Sequence, residues 1–219
     1  DDIEKLLESK RQLLLAISHE LRSPITRARV SMELLENGKI KDQLDSDLHE
    51  MAELINLLIE TEKLKGRHSV LNREATDLDA LLTQSIAHFP QQRLKLITNE
   101  QGQYVLLDSL RVQLLIRNLL DNALRYNRDE LGPVLFEVSL KTNTLQLSVT
   151  DHGGGIAEDQ LDKVMEPFFR ADASRNRQTG GFGLGLYLCQ MIAEAHGGDI
   201  QISSNTQGTT VIVSLPLKA

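Results

Sequence analysis

Two stretches near the start of the chain each carry a narrow stripe of apolar residues at near-heptad spacing. The first stripe consists of Leu14, Ile17, Leu21, Ala28, Met32 and Leu35, and the second of Leu44, Leu48, Met51, Ile55 and Leu58. This spacing predicts two helices, over residues 2–36 and 42–65, with a turn at Asn37-Gly38. A single hairpin cannot cover both faces of its own seam, whereas two copies can do so as a four-helix bundle. We therefore expect residues 1–65 to form a homodimer.

The first predicted helix carries the motif that runs from Ile17 to Pro24 and contains His19. At about 100° per residue, His19 sits roughly opposite the apolar stripe. An imidazole on the outside of a rigid helix, followed directly by the Glu20 carboxylate, is placed to react with a group brought from elsewhere. Pro24 removes one helical hydrogen bond, and it is either a tolerated kink or a bending point that a signal could exploit.

After a break at residues 66–69, short predicted strands and helices alternate without a regular β-α-β rhythm. The predicted strands are 71–75, 94–98, 104–107, 134–140, 144–150, 199–203 and 209–215, and the predicted helices are 77–88, 108–126, 158–165 and 184–195. This mixture predicts an α+β arrangement of helices layered on a mixed sheet. The chain thus divides into a helical domain at 1–65, a linker at 66–70 and a second domain at 71–219.

The composition excludes some classes of protein. A formal net charge of −7 at pH 7 argues against nucleic acid as a partner, because phosphate backbones are held by clustered Lys and Arg. No apolar run approaches the roughly 18 to 20 residues that cross a bilayer, so any membrane attachment would come from segments absent from this chain. The chain starts at Asp1 inside a helical pattern, and we therefore expect a fragment of a longer protein.

The only cysteine and most of the histidines show no pattern of a chemical site. Cys189 cannot form an internal disulfide, which fits reducing, cytoplasmic surroundings, and we expect a small buried thiol there. Apart from His19 and His152, the histidines are His49, His68, His88 and His196. They lack partners at ligand spacing, so we expect them at the surface or in supporting positions.

The helix predicted at 108–126 carries two asparagines, Asn118 and Asn122, four residues apart on one face. Asparagine is a mediocre helix former, and on a face shared with leucines it costs stability unless it contacts something polar. Amide oxygen is a hard ligand of the kind that magnesium accepts, and Arg125, a further turn along, could meet a phosphate. The alternative is an asparagine-bearing surface that simply faces solvent.

Two glycine-rich segments follow. In the run from Asp151 to Ile156, successive glycines allow close backbone approach, while Asp151 offers a carboxylate acceptor for an exocyclic amine. A tight surface turn would look much the same. In the run from Gly180 to Leu186, a flexible chain passes into a helix, and exposed N–H groups at a helix start suit phosphate oxygens. We favour a nucleotide lid there over a plain loop before a helix.

The order of these pieces is more specific than any one of them. Along the chain come a reactive His, paired Asn, Asp-x-Gly-x-Gly, Glu-Pro-Phe-Phe-Arg at 166–170 and Gly-x-Gly-x-Gly. In this order, over nearly the whole chain, the sequence strongly resembles the sensor histidine kinases of bacterial two-component systems. The resemblance implies a helical hairpin that dimerises and carries the phosphorylated histidine. It also implies an α/β-sandwich ATP-binding domain of the type shared with gyrase, the Hsp90 chaperones and the MutL repair proteins.

The resemblance also implies roles for individual residues. In that family the histidine matching His19 attacks the γ-phosphate of ATP and passes the phosphoryl group to an aspartate of a response regulator. Glu20 matches the acidic neighbour that accepts a proton from the imidazole or orients it, and Arg170 resembles a residue that reaches the γ-phosphate. Asn122 matches the magnesium-binding asparagine, and Asp151 the aspartate that reads the adenine amino group. The full set of matching ATP-binding positions is Asn118, Asn122, Arg125, Tyr126, Asp151, Gly153, Gly155, Gly181, Gly183, Leu184, Gly185, Leu186 and Thr209.

Four positions depart from the common family pattern. His152 stands where Asn or Ser is usual, and Gly154 replaces a proline, which makes this turn more flexible. Phe182 replaces a small residue. Ser23 replaces a threonine whose hydroxyl is linked in the family to hydrolysis of the phosphorylated regulator; serine keeps the hydroxyl but loses χ1 stiffness. The resemblance thus extends to phosphatase activity toward the regulator.

Two rival interpretations remain beside a histidine kinase on the cytoplasmic side of an inner-membrane sensor protein. A plain ATPase of the gyrase type would explain residues 71–219 but leaves the His19 helix without a role. A non-catalytic dimeric scaffold would explain the helices, but the intact Asn122, Asp151 and lid glycines argue against it.

Overall fold

The chain forms two compact units, Asp1–Ser69 and Val70–Ala219. The computed structural model describes residues 17, 20–28, 30–32, 38–65, 71–170 and 183–217. The predicted linker at 66–70 lies outside these residues, as do His19 and Gly181. None of the helices within the described ranges is long and apolar enough to cross a membrane.

The first unit is helical in all its described ranges. Residues 20–28 and 30–32 are helical and are called α1 here, and α2 spans Lys39–Lys65. Pro24 lies within α1 without ending it, because the residues on both sides remain helical. α2 begins directly after a bend at Gly38, three residues earlier than the sequence predicted.

The apolar stripe of α1 is divided between buried and exposed positions. Ile25 is buried with Ile55 and Ile59 of α2, and Leu48 and Ala52 pack against this cluster. Ile25 was not part of the predicted stripe. Two residues that were, Ile17 and Leu21, are 45% and 44% exposed, and Leu44 and Met51 of α2 are 41% and 48% exposed. One hairpin therefore buries only part of its apolar surface.

The second unit contains seven described strands and three described α-helices. The strands are β1 (Glu74–Asp77), β2 (Leu94–Thr98), β3 (Tyr104–Leu107), β4 (Val134–Lys141), β5 (Thr144–Asp151), β6 (Asp199–Asn205) and β7 (Gly208–Pro216), and the helices are α3 (Leu78–Ile86), α4 (Ser109–Tyr126) and α5 (Gly185–Ala195). β1 and β3 pair antiparallel in a small sheet. The other five form a mixed sheet in the order β2-β4-β5-β7-β6, in which only β2 and β4 are parallel.

One face of the five-stranded sheet forms the core with the helices. Alternate residues of β5 and β7 are buried, as expected of a sheet covered on one side. The buried stripe of α4 packs on β4 and β5, and α5 packs on α4, β6 and β7. Cys189 of α5 is fully buried, as predicted, and burial raises the pKa of its thiol far above the usual range.

Residues 158–165 do not form the α-helix that the sequence predicted. Only Glu158–Gln160 is helical, as one 3₁₀ turn, and turns follow it. The hydrogen bonds in this stretch mostly join residues three apart, such as Lys163 N–H to Gln160 O at 2.9 Å. Pro167 has no N–H with which to continue such a ladder, so the segment stays a series of turns.

His196, at the end of α5, is 2% exposed and joins two helices. Its Nδ1–H donates to Ile192 O at 2.8 Å, and its Nε2 accepts the Asp108 N–H at 3.3 Å. Asp108 in turn caps α4 by accepting the Arg111 N–H at 3.2 Å. The sequence predicted a surface or supporting histidine; it is a buried structural residue whose partner is distant in the chain.

Stability of the second unit should depend on the protonation of His196. Burial is the main cause that lowers the pKa of His196, and Arg73 and Arg111 lower it further, while Ile192 O and Asp108 oppose them. Below pH about 6.5 the unfolded chain binds a proton that the folded chain resists, so the free energy of unfolding should fall as pH drops. His196→Gln should remove this part of the pH dependence.

The measurement is urea unfolding at several pH values between 5 and 8. The chain has three tyrosines and no tryptophan, and Tyr104, Tyr126 and Tyr187 all lie in the second unit, so tyrosine fluorescence follows that unit. The matched control is His88→Gln, because His88 is exposed. Equal pH dependence in wild type and His196→Gln would contradict the prediction.

Candidate nucleotide-binding site

Helix α4 presents a polar stripe on the side away from its buried leucines. Asn118 is partly buried, and its Nδ2 donates to Leu114 O of the same helix at 2.8 Å. Asn122, one turn later, is partly exposed, and its amide has no hydrogen-bond partner among the described residues. Arg125 and Tyr126 end the stripe and are exposed. The stripe thus offers one unused amide and one exposed guanidinium.

The start of α5 lies against this stripe. A Cβ built on Gly185, the first residue of α5, would lie only 3.2 Å from Asn118 Oδ1, so glycine lets the two helices approach. α3 and α4 are each capped by an aspartate, Asp77 and Asp108, whereas Leu184 gives α5 no side-chain cap. No residue in the described ranges accepts from the N–H groups of Gly185 and Leu186, which therefore suit an anion. Leu184 is buried and anchors this end.

Asp151, at the end of β5, is buried with one carboxylate oxygen committed to the backbone. Its Oδ1 accepts the Gly153 N–H at 2.7 Å and the Thr209 N–H at 3.3 Å. The other oxygen, Oδ2, has no hydrogen-bond partner in the described ranges of the chain. Burial raises the pKa of Asp151, and the two N–H groups partly oppose that shift. An acceptor oxygen without a partner among the described residues, on a residue that is buried as a whole, favours a ligand that brings a donor.

The glycines after Asp151 are required by close backbone contacts. A Cβ on Gly153 would lie 2.6 Å from Tyr126 O, at the end of α4. Gly155 has φ of +73°, and a Cβ there would lie 1.9 Å from Asn205 O. The loop is therefore seated between α4 and β6, which brings Asp151, Gly153, Gly155 and Tyr126 together.

Two residues that hold this loop were missed by the sequence analysis. Asn127, just after α4, accepts the His152 N–H through Oδ1 at 2.9 Å. Ser204 of β6 accepts the Ile156 N–H at 2.8 Å, and its Oγ lies 2.8 Å from Thr209 Oγ1. An asparagine at a helix end is a weak signal of such a role, and nothing in the sequence marks Ser204.

The segment before residue 171 is bound to the segment that begins at Gly183. The Phe168 N–H donates to Gly183 O at 2.9 Å. Phe168 has φ of +67°, which is unusual for a residue with a side chain, and its ring is 63% exposed. A Cβ on Gly183 would lie 2.4 Å from Phe169 O, so only glycine fits. Arg170 follows and is exposed, while Gly181 and Phe182 lie outside the described residues.

In the first unit, the described part of the reactive motif is exposed on α1. Glu20 and Ser23 are both exposed. Arg22, between them in the chain, donates from Nη2 to Asn56 Oδ1 of α2 at 3.0 Å and so ties the two helices together. His19 itself lies outside the described residues, and its role rests on the sequence.

Comparison with known families identifies the chain. Residues 107–219 match the sequence pattern of the family described as histidine kinase-, DNA gyrase B- and HSP90-like ATPases. The chain belongs to this family. Residues 9–67 match the His Kinase A (phospho-acceptor) domain. Both domains of a sensor histidine kinase core are therefore present, and the resemblance predicted from the motifs is confirmed.

Similar proteins include other sensor kinases. Sensor protein RstB of Escherichia coli K12 is 35% identical over 95% of this chain and 49% of its own length. Sensor histidine kinase WalK of Bacillus subtilis 168 is 31% identical over 98% of this chain and 38% of its own length. The chain thus spans less than half of these two relatives.

Two solved structures confirm the predicted fold class. Full-length ShkA in complex with AMPPNP superposes with a TM-score of 0.74 at 24% identity, over 95% of this chain and 46% of that one. The Acinetobacter baumannii histidine kinase AdeS superposes with a TM-score of 0.68 at 23% identity, over 92% of this chain and 98% of that one. At these identities the likeness concerns the fold.

Two neighbouring glycines of the Asp151 loop should differ sharply in tolerance to alanine. Gly155→Ala adds a Cβ at positive φ against Asn205 O, whereas the Gly154→Ala Cβ meets only the mobile end of Arg128, at 3.3 Å. We expect Gly155→Ala to lower the free energy of unfolding by more than about 1 kcal/mol, and Gly154→Ala to stay within about 0.5 kcal/mol of wild type. Urea titration followed by tyrosine fluorescence measures both free energies of unfolding. Equal losses in the two variants would contradict the position of the loop between α4 and β6.

Proposed function

We propose that the chain is the core of an ATP-dependent protein histidine kinase that acts in two-component signalling. Residues 71–219 bind ATP, residues 1–65 carry the phosphorylated residue, His19, and 66–70 link them. The phosphoryl group then passes to an aspartate in the receiver domain of a response regulator. Because ATP is a cytoplasmic substrate, the proposal places the chain on the cytoplasmic side of a sensor protein.

The observation that carries the proposal is the uncapped start of α5 beside the polar stripe of α4. The N–H groups of Gly185 and Leu186, which have no acceptor in the described part of the chain, suit phosphate oxygens, with Asn118 and Arg125 on the neighbouring helix. Asp151, with one oxygen unused, is the acceptor for the adenine amino group. The ATP site then consists of Asn118, Asn122, Arg125, Tyr126, Asp151, Gly153, Gly155, Gly181, Gly183, Leu184, Gly185, Leu186 and Thr209. A related structure, ShkA, was solved with an ATP analogue, AMPPNP.

Asn122 fits a magnesium ion as a ligand. Its amide oxygen is a hard donor without a partner among the described residues, on a helix that also carries Arg125. Magnesium held there would neutralise charge on the phosphates. Asn122 would supply one ligand and orient the ion, and phosphate oxygens and water would supply the rest.

In the transfer step, a ring nitrogen of neutral His19 attacks the γ-phosphorus while the bond to the bridging oxygen breaks and ADP leaves. Glu20 takes the proton from the imidazole, which keeps the attacking nitrogen unprotonated. Arg170 stabilises the charge on the γ-phosphate during transfer. In the reverse role, the Ser23 hydroxyl positions water for hydrolysis of the phosphorylated regulator.

Incubation with γ-labelled ATP and magnesium tests this function. We expect acid-labile, base-stable label on the wild-type chain, and loss of at least about 100-fold in His19→Gln, because no nucleophile remains. His88→Gln, which changes an exposed histidine, should label like wild type.

The same experiment separates the rival functions. ATP turnover without label would support a plain ATPase of the gyrase type. Neither label nor turnover would leave a non-catalytic scaffold.

We also propose that the functional form is a homodimer through residues 1–65, because Ile17, Leu21, Leu44 and Met51 are exposed on the hairpin. Sedimentation should give a dimer at micromolar concentration. Leu21→Glu should shift it to monomer by placing charge in the interface. The control Val30→Glu changes a 65% exposed residue nine positions along α1, on the opposite side of the helix, and should remain dimeric. A wild-type monomer would contradict the proposal.

A further inference from the structure

The side chain of Asn127, the residue directly after α4, makes hydrogen bonds to two other segments of the chain. Its Oδ1 accepts the His152 N–H at 2.9 Å, and its Nδ2 donates to Gly132 O at 2.9 Å and to Asp129 Oδ1 at 3.1 Å. Its own backbone N–H ends α4 by donating to Ala123 O at 2.9 Å. One carboxamide thus joins the end of α4, the turn after it and the loop that carries Asp151.

The contact between the two loops does not rest on this amide alone. Gly132 has φ of +132°, and a Cβ there would lie 3.6 Å from two atoms of the His152 ring. The imidazole therefore lies against the residue whose carbonyl Asn127 binds. We call Asn127, Gly132 and His152 the loop clasp.

The clasp needs the specific chemistry of an amide. It uses Oδ1 as an acceptor and Nδ2 as a donor at once, which neither a carboxylate nor an aliphatic side chain can do. Hydrogen bonds from Asn127 and Arg93 are the main causes that lower the pKa of Asp129, so an anion stays beside the donor.

The Asp151 loop has a particular need for such support. A Cβ on Gly154 would meet only the end of Arg128, and Gly154 N–H has no partner among the described residues, so this middle glycine adds little restraint to the loop. The loop is held from outside, by Asn127 at His152 and by Ser204 at Ile156. Of these two, only Asn127 comes from the helix that carries Asn122.

We propose that Asn127 is a positioning residue for nucleotide recognition: through the loop clasp it holds the segment whose Gly153 N–H orients the Asp151 carboxylate, and so sets the preference for a 6-amino purine. The inference rests on the proposed function, in which Asp151 reads the adenine amino group and α4 meets the phosphates. Without the clasp, the phosphate contacts and the bond from the Thr209 N–H persist, while the Gly153 N–H that orients the carboxylate is no longer held in place.

The test compares ATP with ITP, which lacks the 6-amino group, by calorimetric titration of the full chain with magnesium. Wild type should prefer ATP. Asn127→Ala should raise the Kd for ATP about tenfold and the Kd for ITP less than twofold, so that the preference falls. The matched control is Asn99→Ala, because Asn99 is exposed and distant from the loop in sequence; it should leave both values unchanged.

A second measurement uses the wild-type chain and so does not depend on how the variant folds. In amide hydrogen exchange without nucleotide, the His152 N–H, bound by Asn127, should exchange more slowly than the Gly154 N–H. Equal weakening of ATP and ITP in Asn127→Ala, an unchanged Kd for ATP, or equally fast exchange of the two amides would overturn the inference. Failure of wild type to bind ATP would overturn the proposed function itself, and this inference with it.

Discussion

The burial of one side of α4 against the sheet determines where the polar groups of the candidate site lie. Val112, Leu115, Ile116, Leu119 and Leu120 are all almost fully buried. Each such side chain contributes roughly 1.5 to 3 kcal/mol by leaving water, so the helix has one strongly favoured rotation about its axis. At 3.6 residues per turn, that rotation leaves Asn118, Asn122 and Arg125 on the remaining side. The same packing sets the position of the helix end, where Tyr126 and Asn127 contact the Asp151 loop.

The site keeps several polar groups whose bonding capacity the described protein does not use. Asp151 is buried with one oxygen unbonded, Asn122 has no described partner, and α5 starts without a side-chain cap. Each of these groups can take a partner that the described residues do not supply. A nucleotide with its metal would supply a donor for the carboxylate, an electrophile for the amide and an anion for the helix. A ligand that binds the folded form alone stabilises it by mass action.

Sequence patterns predicted six of the seven described strands to within two residues at each end, whereas the strand predicted at 71–75 begins three residues later, as β1. β2 and β3 begin and end at the predicted residues, since each alternates between turns that Pro90, Gly102 and Asp108 define. The prediction of a helix at 158–165 was wrong. The apolar spacing of that segment carries no information about Pro167, which lacks an N–H, or about the hydrogen bond from the Phe168 N–H to Gly183 O.

The role of His196 could not be predicted from the residues next to it in the sequence, because its partner is distant in the chain. Its partner Asp108 lies 88 residues earlier, and folding alone brings them together. Asn127 and Ser204 are likewise defined by partners 25 and 48 residues away. Local patterns therefore predicted the elements and the residues that carry chemistry, while the residues that position them required the fold.

The helical unit shows how one stripe can serve two partners. At about 100° per residue, Ile25 and Met32 lie roughly 60 to 80° around α1 from Ile17, while Leu21 and Ala28 lie within about 40° of it. The first pair is buried within the hairpin, and Ile17 and Leu21 remain nearly half exposed. The stripe is therefore wider than one antiparallel neighbour can cover, and its uncovered flank suits the second copy in the proposed dimer. Glu20 and Ser23 lie on the opposite side of α1 from the buried pair. They therefore remain accessible when α2 and the second copy cover the apolar residues.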